Sequence, residues 1–253
     1  FVARTGVENV AMDAASSTGV PVFNVSGRNA SGVAELALGL MLAETRNIAR
    51  ADRSIKDGGW RKDFEPAAGE IGGSTVGLVG FGHVGRELAI RLRGFDSDVL
   101  VADPYVDPAL VEEAGGRVVE IEELFRASDF ISLQARVTSE TVGMIDQRLI
   151  RLMKPTAYLV NVGRGRLVKT DDLIEALESR RIAGAGLDVF DDEPLAADSP
   201  LRSLDNVTLT THFGGDTTTT NMRSARLVAE SMKSFLETGS VASAVNVDDL
   251  VRS

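Results

Sequence analysis

The chain has only two histidines, and one of them, His212, follows the expected strand 207–210 within Thr210-Thr-His-Phe-Gly-Gly215. An imidazole titrates near neutrality and can pass a proton to an oxygen that gains charge during a reaction. A carboxylate beside it would hold the ring and favour its protonated form. Leu187-Asp-Val-Phe-Asp-Asp-Glu-Pro194 carries Asp188 and Glu193, and Glu193 would take that place. Arg164, in Asn161-Val-Gly-Arg-Gly165, could grip a carboxylate through two parallel hydrogen bonds and polarise a neighbouring carbonyl. Together these groups suit proton delivery to the alkoxide formed when a hydride reaches a 2-keto acid. A structural histidine, a surface arginine and a helix-start carboxylate fit the same residues. Asp191 and Asp192 also compete with Glu193 for the histidine, and composition and periodicity leave these alternatives open.

Each of these segments follows an expected strand, 157–161, 183–187 or 207–210, so each falls at the carboxyl end of a strand, where open α/β sheets bind ligands. The stretch 75–103 indicates what kind of sheet. Val76 to Val79 reads as a strand buried on both faces. Gly80-Phe81-Gly82-His83-Val84-Gly85 follows at once, then helical spacing over 87–92, then a second strand over 99–102 ending at Asp103. Gly80 permits the turn, Gly82 lets backbone approach a pyrophosphate, and Gly85 lets helix and strand pack closely. The helix start adds N–H donors and partial positive charge. Asp103 can accept from both ribose hydroxyls of an adenosine and would repel a 2′-phosphate, which predicts NAD over NADP. His83 lies in the turn with its backbone toward the phosphates and has no expected proton-transfer role.

Strands at 130–133, 157–161, 183–189 and 207–210 alternate with helices at 120–127 and 171–179 and a loop and helix over 139–153, which implies a doubly wound parallel sheet. A long helix from Ala30 is apolar nearly all round and is expected in a core or a dimer interface. Before it, 1–3 reads as the tail of a strand, 7–18 as a short helix and 20–24 as a strand. An amphipathic helix over 224–236 closes the chain, and Asp216 is expected to cap it. The 253 residues, 43% hydrophobic and 25% charged, suit a soluble globular protein of one large or two modest domains. A net charge of −10 argues against nucleic acid or an anionic membrane as partner. With no cysteine there is no disulfide, thiolate metal site or Cys nucleophile, which suits a cytoplasmic protein. No metal site is expected. The opening Phe1-Val-Ala-Arg-Thr-Gly, without an initiator Met, reads as a chain entered in mid-strand, as a fragment would be.

The ordered motifs resemble the D-isomer-specific 2-hydroxyacid dehydrogenases, which include phosphoglycerate, glycerate and formate dehydrogenases. The resemblance runs from Arg4-Thr-Gly-Val-Glu-Asn through Asn29-Ala-Ser-Gly-Val-Ala-Glu35, the glycine turn, Met153-Lys-Pro, and the segments of Arg164, Glu193 and His212. It implies Arg164 as substrate-carboxylate binder, Glu193 as partner of the base and His212 as acid/base. It also implies Asp188 at the nicotinamide carboxamide and Thr138, Val162 and Gly163 along the nicotinamide half, with Val84, His212 and Gly214 completing the cofactor contacts. The implied fold is a Rossmann cofactor domain, 28–218, inserted in a smaller flavodoxin-like substrate domain. Residues 1–27 and 219–253 would be parts of that second domain, most of whose N-terminal portion is absent here. Substrate would bind in the cleft, with hinges near Arg28 and Thr218, in a homodimer.

Gln134, Arg136 and Arg166 depart from the family pattern. Arg136 adds a cation near the cleft and suggests a more anionic or polyhydroxylated acid. The implied activity is NAD-dependent interconversion of a D-2-hydroxy acid and its 2-keto acid. A non-catalytic NAD(H)-sensing corepressor of the same fold is the alternative, and it would need none of Arg164, Glu193 and His212.

Overall fold

The computed structural model describes residues 1–4, 6, 7, 9–60, 64 and 67–252. Thr5 and Glu8 of the opening motif lie outside the described residues. The chain forms two compact units, residues 33–214 and residues 1–32 with 215–253.

The larger unit is built on parallel strands β1 (Thr75–Val79), β2 (Asp98–Ala102), β3 (Gly116–Val118), β4 (Phe130–Leu133), β5 (Tyr158–Asn161), β6 (Gly184–Leu187) and β7 (Val207–Leu209). Their order is β3-β2-β1-β4-β5-β6-β7, so the winding reverses between β1 and β4. Val76 lies beside Val99 on one side and Phe130 on the other. β4, β5 and β6 are buried at every residue, which is why they read as unbroken apolar or small-residue runs. The edge strand β3, only Gly-Arg-Val and largely exposed, carries no such signal and was not expected from the sequence.

The helices are α1 (Met12–Ser17), α2 (Ala30–Thr45), α3 (Ile48–Lys56), α4 (His83–Leu92), α5 (Pro108–Glu113), α6 (Ile121–Ala127), α7 (Gln147–Ile150), α8 (Thr170–Glu178), α9 (Thr218–Thr238) and α10 (Val247–Arg252). One core joins Leu124, Phe125, Leu149, Leu173 and Leu177 to Ile131 and Leu159 of the sheet. The other joins Ala37, Leu40 and Met41 of α2 and Leu88 and Leu92 of α4 to Leu78 and Val101. α2 therefore buries its apolar face in the core, as one of its two expected settings requires. It packs so closely on β6 that a Cβ at Gly186 would lie 2.8 Å from Leu40 Cβ. At its end Glu44 is fully buried, paired with Arg50 at 3.1 Å and accepting from the Thr208 hydroxyl at 2.5 Å. Among the described residues no helix is long and apolar enough to cross a membrane.

In the smaller unit Phe1 stacks on Phe23 with ring centroids 4.7 Å apart, and Phe235 of α9 lies 5.4 Å from Phe23. The strands expected at 1–3 and 20–24 do not form. Between the two segments Val2 N–H donates to Phe23 O at 2.8 Å and Val25 N–H to Arg4 O at 3.2 Å, while Pro21 has no N–H to give to a ladder. α1 starts at Met12, later than the expected residue 7. α9 starts at Thr218, six residues before expectation, because the Thr217 hydroxyl accepts from Thr220 N–H and caps it. Asp216, the expected cap, instead faces Asn221 Nδ2 at 3.4 Å.

Candidate active site

The glycine turn joins β1 to α4. Gly80 has φ +93°, and a Cβ there would lie 2.8 Å from the backbone of Ala135, so only glycine serves. At Gly85 a Cβ would press on Gly80 O at 2.6 Å, while at Gly82 it would meet nothing within 4 Å. The turn is thus closed underneath and open at Gly82, the place where a backbone can meet a ligand. No side chain caps α4, so the N–H groups at His83 and Val84 begin the helix without a side-chain acceptor. Asp103 ends the next strand's connection with its carboxylate tied to the turn: Oδ2 accepts from Phe81 N–H at 2.8 Å and Oδ1 from Tyr105 N–H at 3.0 Å. Each oxygen keeps a second lone pair for a ligand hydroxyl. A helix start without a cap, an open glycine and an anchored carboxylate fit a dinucleotide's pyrophosphate and adenosine ribose.

Across the sheet's reversal point, the segments after β5, β6 and β7 meet. The buried Asn161 side chain accepts from Gly163 N–H at 3.1 Å and donates to Arg164 O at 3.0 Å. That lock holds the turn and leaves Arg164 exposed, its guanidinium donating back to Gly163 O at 2.8 Å. Val162 is buried and its N–H is spent on Leu133 O at 3.3 Å. Next to Arg164, Gly165 admits the chain after β6 at very close range: a Cβ there would lie 1.8 Å from Phe190 C.

That close approach delivers Glu193 to His212. The Glu193 Oε2 to His212 Nδ1 distance is 2.6 Å, and Glu193 Oε1 accepts from Phe190 N–H at 3.0 Å. Partial burial pushes the Glu193 carboxyl up. The His212 and Phe190 hydrogen bonds, with the charges of His212 and Arg164, outweigh burial and hold it below the usual range. An ionised carboxylate only accepts, so Nδ1 carries the hydrogen and the other ring nitrogen is left to exchange a proton. His212 itself has φ +56°, a left-handed backbone held by its neighbours.

Those neighbours are gathered by Asp188. Its carboxylate, 2% exposed, accepts from Thr210 Oγ1 at 2.6 Å, Phe213 N–H at 3.1 Å and Gly214 N–H at 3.0 Å. The structure thus brings Arg164, Glu193, His212, Asp188 and Gly214 to one cluster of loops. Gly80, Gly82, His83, Val84, Gly85 and Asp103 form the turn and its flank. Thr138 lies in the exposed loop after β4, its hydroxyl 3.2 Å from that of Thr141. Asp191 and Asp192 make no hydrogen bond to the histidine, although Asp191 lies 4.0 Å from Arg166. Sequence reasoning missed the organising parts played by Asn161 and Gly165. Their positions beside Arg164 in one motif were the available signal.

Residues 38–214 match the model of the D-isomer specific 2-hydroxyacid dehydrogenase NAD-binding domain. The chain belongs to that family. It is 41% identical to a D-3-phosphoglycerate dehydrogenase of Mycobacterium leprae over 250 residues, which are 98% of this chain and 47% of that protein. With a glyoxylate reductase of Thermococcus litoralis it shares 37% identity, over 98% of this chain and 76% of the relative. Among solved structures it resembles the D-lactate dehydrogenase of Aquifex aeolicus complexed with NAD and lactic acid, with TM-score 0.81 and 29% identity over 93% of this chain and 75% of that one. The chain spans about half the length of the phosphoglycerate dehydrogenases it matches. Its larger unit is a Rossmann domain of the NAD-binding class, as the glycine turn and Asp103 led one to expect.

Proposed function

We propose that the protein is an NAD-dependent dehydrogenase interconverting a small D-2-hydroxy acid and its 2-keto acid. The observation that carries this reading is the His212–Glu193 pair at 2.6 Å, brought together from the ends of β7 and β6, with Arg164 supplied from the end of β5. The glycine turn, the helix start at His83 and Val84, and Asp103 would hold the cofactor's pyrophosphate and adenosine ribose. Thr138, Val162, Gly163, Asp188 and Gly214 would line the nicotinamide half, and the nicotinamide, when bound, gives or takes the hydride.

Arg164 grips the substrate carboxylate and draws electron density from the adjacent carbonyl. In the reducing direction His212 gives its proton to the carbonyl oxygen as negative charge builds there; in the oxidising direction it removes the hydroxyl proton. Glu193 orients the ring and stabilises the imidazolium that proton removal creates. A sensor would need no such pair, which favours the enzyme over a corepressor.

The domain division proposed from the sequence, 28–218 for cofactor and the two terminal segments for substrate, belongs to this reading, as do a cytoplasmic homodimer and a role for Arg136 toward an additional anionic group. The decisive test is His212→Ala in the full-length protein. Keto-acid turnover should be lost while NADH still binds in a fluorescence titration. Turnover close to wild type would sink the assignment.

A further inference from the structure

The loops after β2 and β4 stand on either side of β1 and its glycine turn. One tyrosine links them. Tyr105 is 82% exposed, yet its hydroxyl donates to Glu140 Oε2 at 3.0 Å while its N–H donates to Asp103 Oδ1 at 3.0 Å. Glu140 is set by its own loop: its N–H donates to Thr138 Oγ1 at 3.2 Å, and Thr141 Oγ1 donates to Arg136 O at 2.6 Å. The Glu140 hydrogen bond, then its charge, push the Tyr105 phenol up, and the charge of Asp103 adds to them. The phenol therefore feels both carboxylates. Among the described residues no lysine or arginine side chain forms an ion pair with Asp103 or Glu140.

We propose that Glu140, tethered through Tyr105, is a second determinant of cofactor choice that acts with Asp103 to exclude a dinucleotide bearing a 2′-phosphate. The inference rests on the nucleotide site proposed above. Asp103 takes the ribose hydroxyls, and a 2′-phosphate at that ribose enters a space faced by one carboxylate from the loop after β2 and another from the loop after β4. The second carboxylate needs no contact with NAD to act, since repulsion of a dianion reaches several ångströms through water. Asp103 supplies a carboxylate from the loop after β2, and the Tyr105 tether holds a second one, Glu140, from the loop after β4.

The test is parallel titration of the full-length protein with NADH and NADPH, following cofactor fluorescence. Wild type, Glu140→Gln, Glu140→Arg and a charge control, Glu237→Gln on α9, would be compared. With water-like screening of a dianion, the preference for NADH should fall about five-fold in Glu140→Gln and roughly twenty-five-fold in Glu140→Arg. Both effects should shrink in high salt, as a through-space charge effect must. Glu237→Gln should leave the preference where it was. An unchanged preference in both Glu140 variants, with NADH still bound, overturns the inference alone. An equal change in Glu237→Gln also overturns it, because net charge would then be responsible. Failure of wild type to bind NADH removes the nucleotide site itself, and this inference with it.

Discussion

Gly165→Ala should damage catalysis without touching any group that reacts. A Cβ at this position lies 1.8 Å from Phe190 C, 2.0 Å from Phe190 O and 2.3 Å from Asp191 N. All three are backbone atoms, so no side chain can swing away. Carbon atoms pack at about 3.5 Å, which means the chain after β6 must retreat by roughly 1.5 Å. Glu193 is three residues further on, and its Oε1 is tied to Phe190 N–H at 3.0 Å. The retreat therefore carries Glu193 away from His212 and opens the 2.6 Å contact. Misplacement of about 1 Å in catalytic geometry costs on the order of a hundred-fold in rate, and overpacking costs about 1–3 kcal/mol of stability. The expected result is a kcat/KM for keto-acid reduction at least a hundred-fold below wild type, with NADH affinity retained because the glycine turn is formed elsewhere on the sheet. Gly39→Ala is the matched control. It lies in α2 with nothing within 4 Å of the added carbon, so activity should hold and helix propensity should add about 0.5–1 kcal/mol. A Gly165→Ala enzyme with more than a third of wild-type kcat/KM would refute the claim that this contact places Glu193.

Asp188→Asn should cost about 1–3 kcal/mol in urea denaturation, because the amide NH2 opposes donors where the carboxylate accepted from Thr210, Phe213 and Gly214. Loss of keto-acid turnover should accompany it as the His212 turn loosens; unchanged stability would show that these bonds do not hold the turn. At Glu44, burial pushes the carboxyl up more than the Arg50 charge and the Thr208 and Arg50 hydrogen bonds bring it down. A carboxyl raised in the folded state binds its proton more tightly there than in the unfolded chain, so stability falls as pH rises from the ordinary carboxylate value through the raised one. Glu44→Gln should remove that slope and match wild type at neutral pH, whereas Glu44→Ala strips Thr208 and Arg50 of an acceptor and should cost about 2–4 kcal/mol. If Gln is as harmful as Ala in urea melts, the buried charge itself is what stabilises.

What was legible in the sequence follows from which forces leave a local trace. Strands buried on both faces leave apolar or small-residue runs, so β1, β4, β5 and β6 stood out, and β5, β6 and β7 marked the loops that carry Arg164, Glu193 and His212. β3 buries little, so Gly116-Arg-Val118 left nothing to read. The segment 20–24 has strand composition but lacks a ladder, and composition cannot report a missing partner. The site divides in the same way. Reactive side chains are recognisable because few residue types can do their chemistry, and a glycine turn because a positive φ and close backbone approach demand glycine. Groups that act by holding backbone are silent until the fold is seen: Asn161 locks the Arg164 turn, and Asp188 spends its carboxylate on the turn that carries His212. Gly165 is the most telling case. It sits beside Arg164 in one motif, yet its reason for being glycine is a chain segment 25 positions away. The motif is therefore two requirements written side by side, one chemical and one steric, and only the steric one depends on where the β6 loop runs. That dependence is why replacing an inert residue can silence the site as surely as replacing a reactive one.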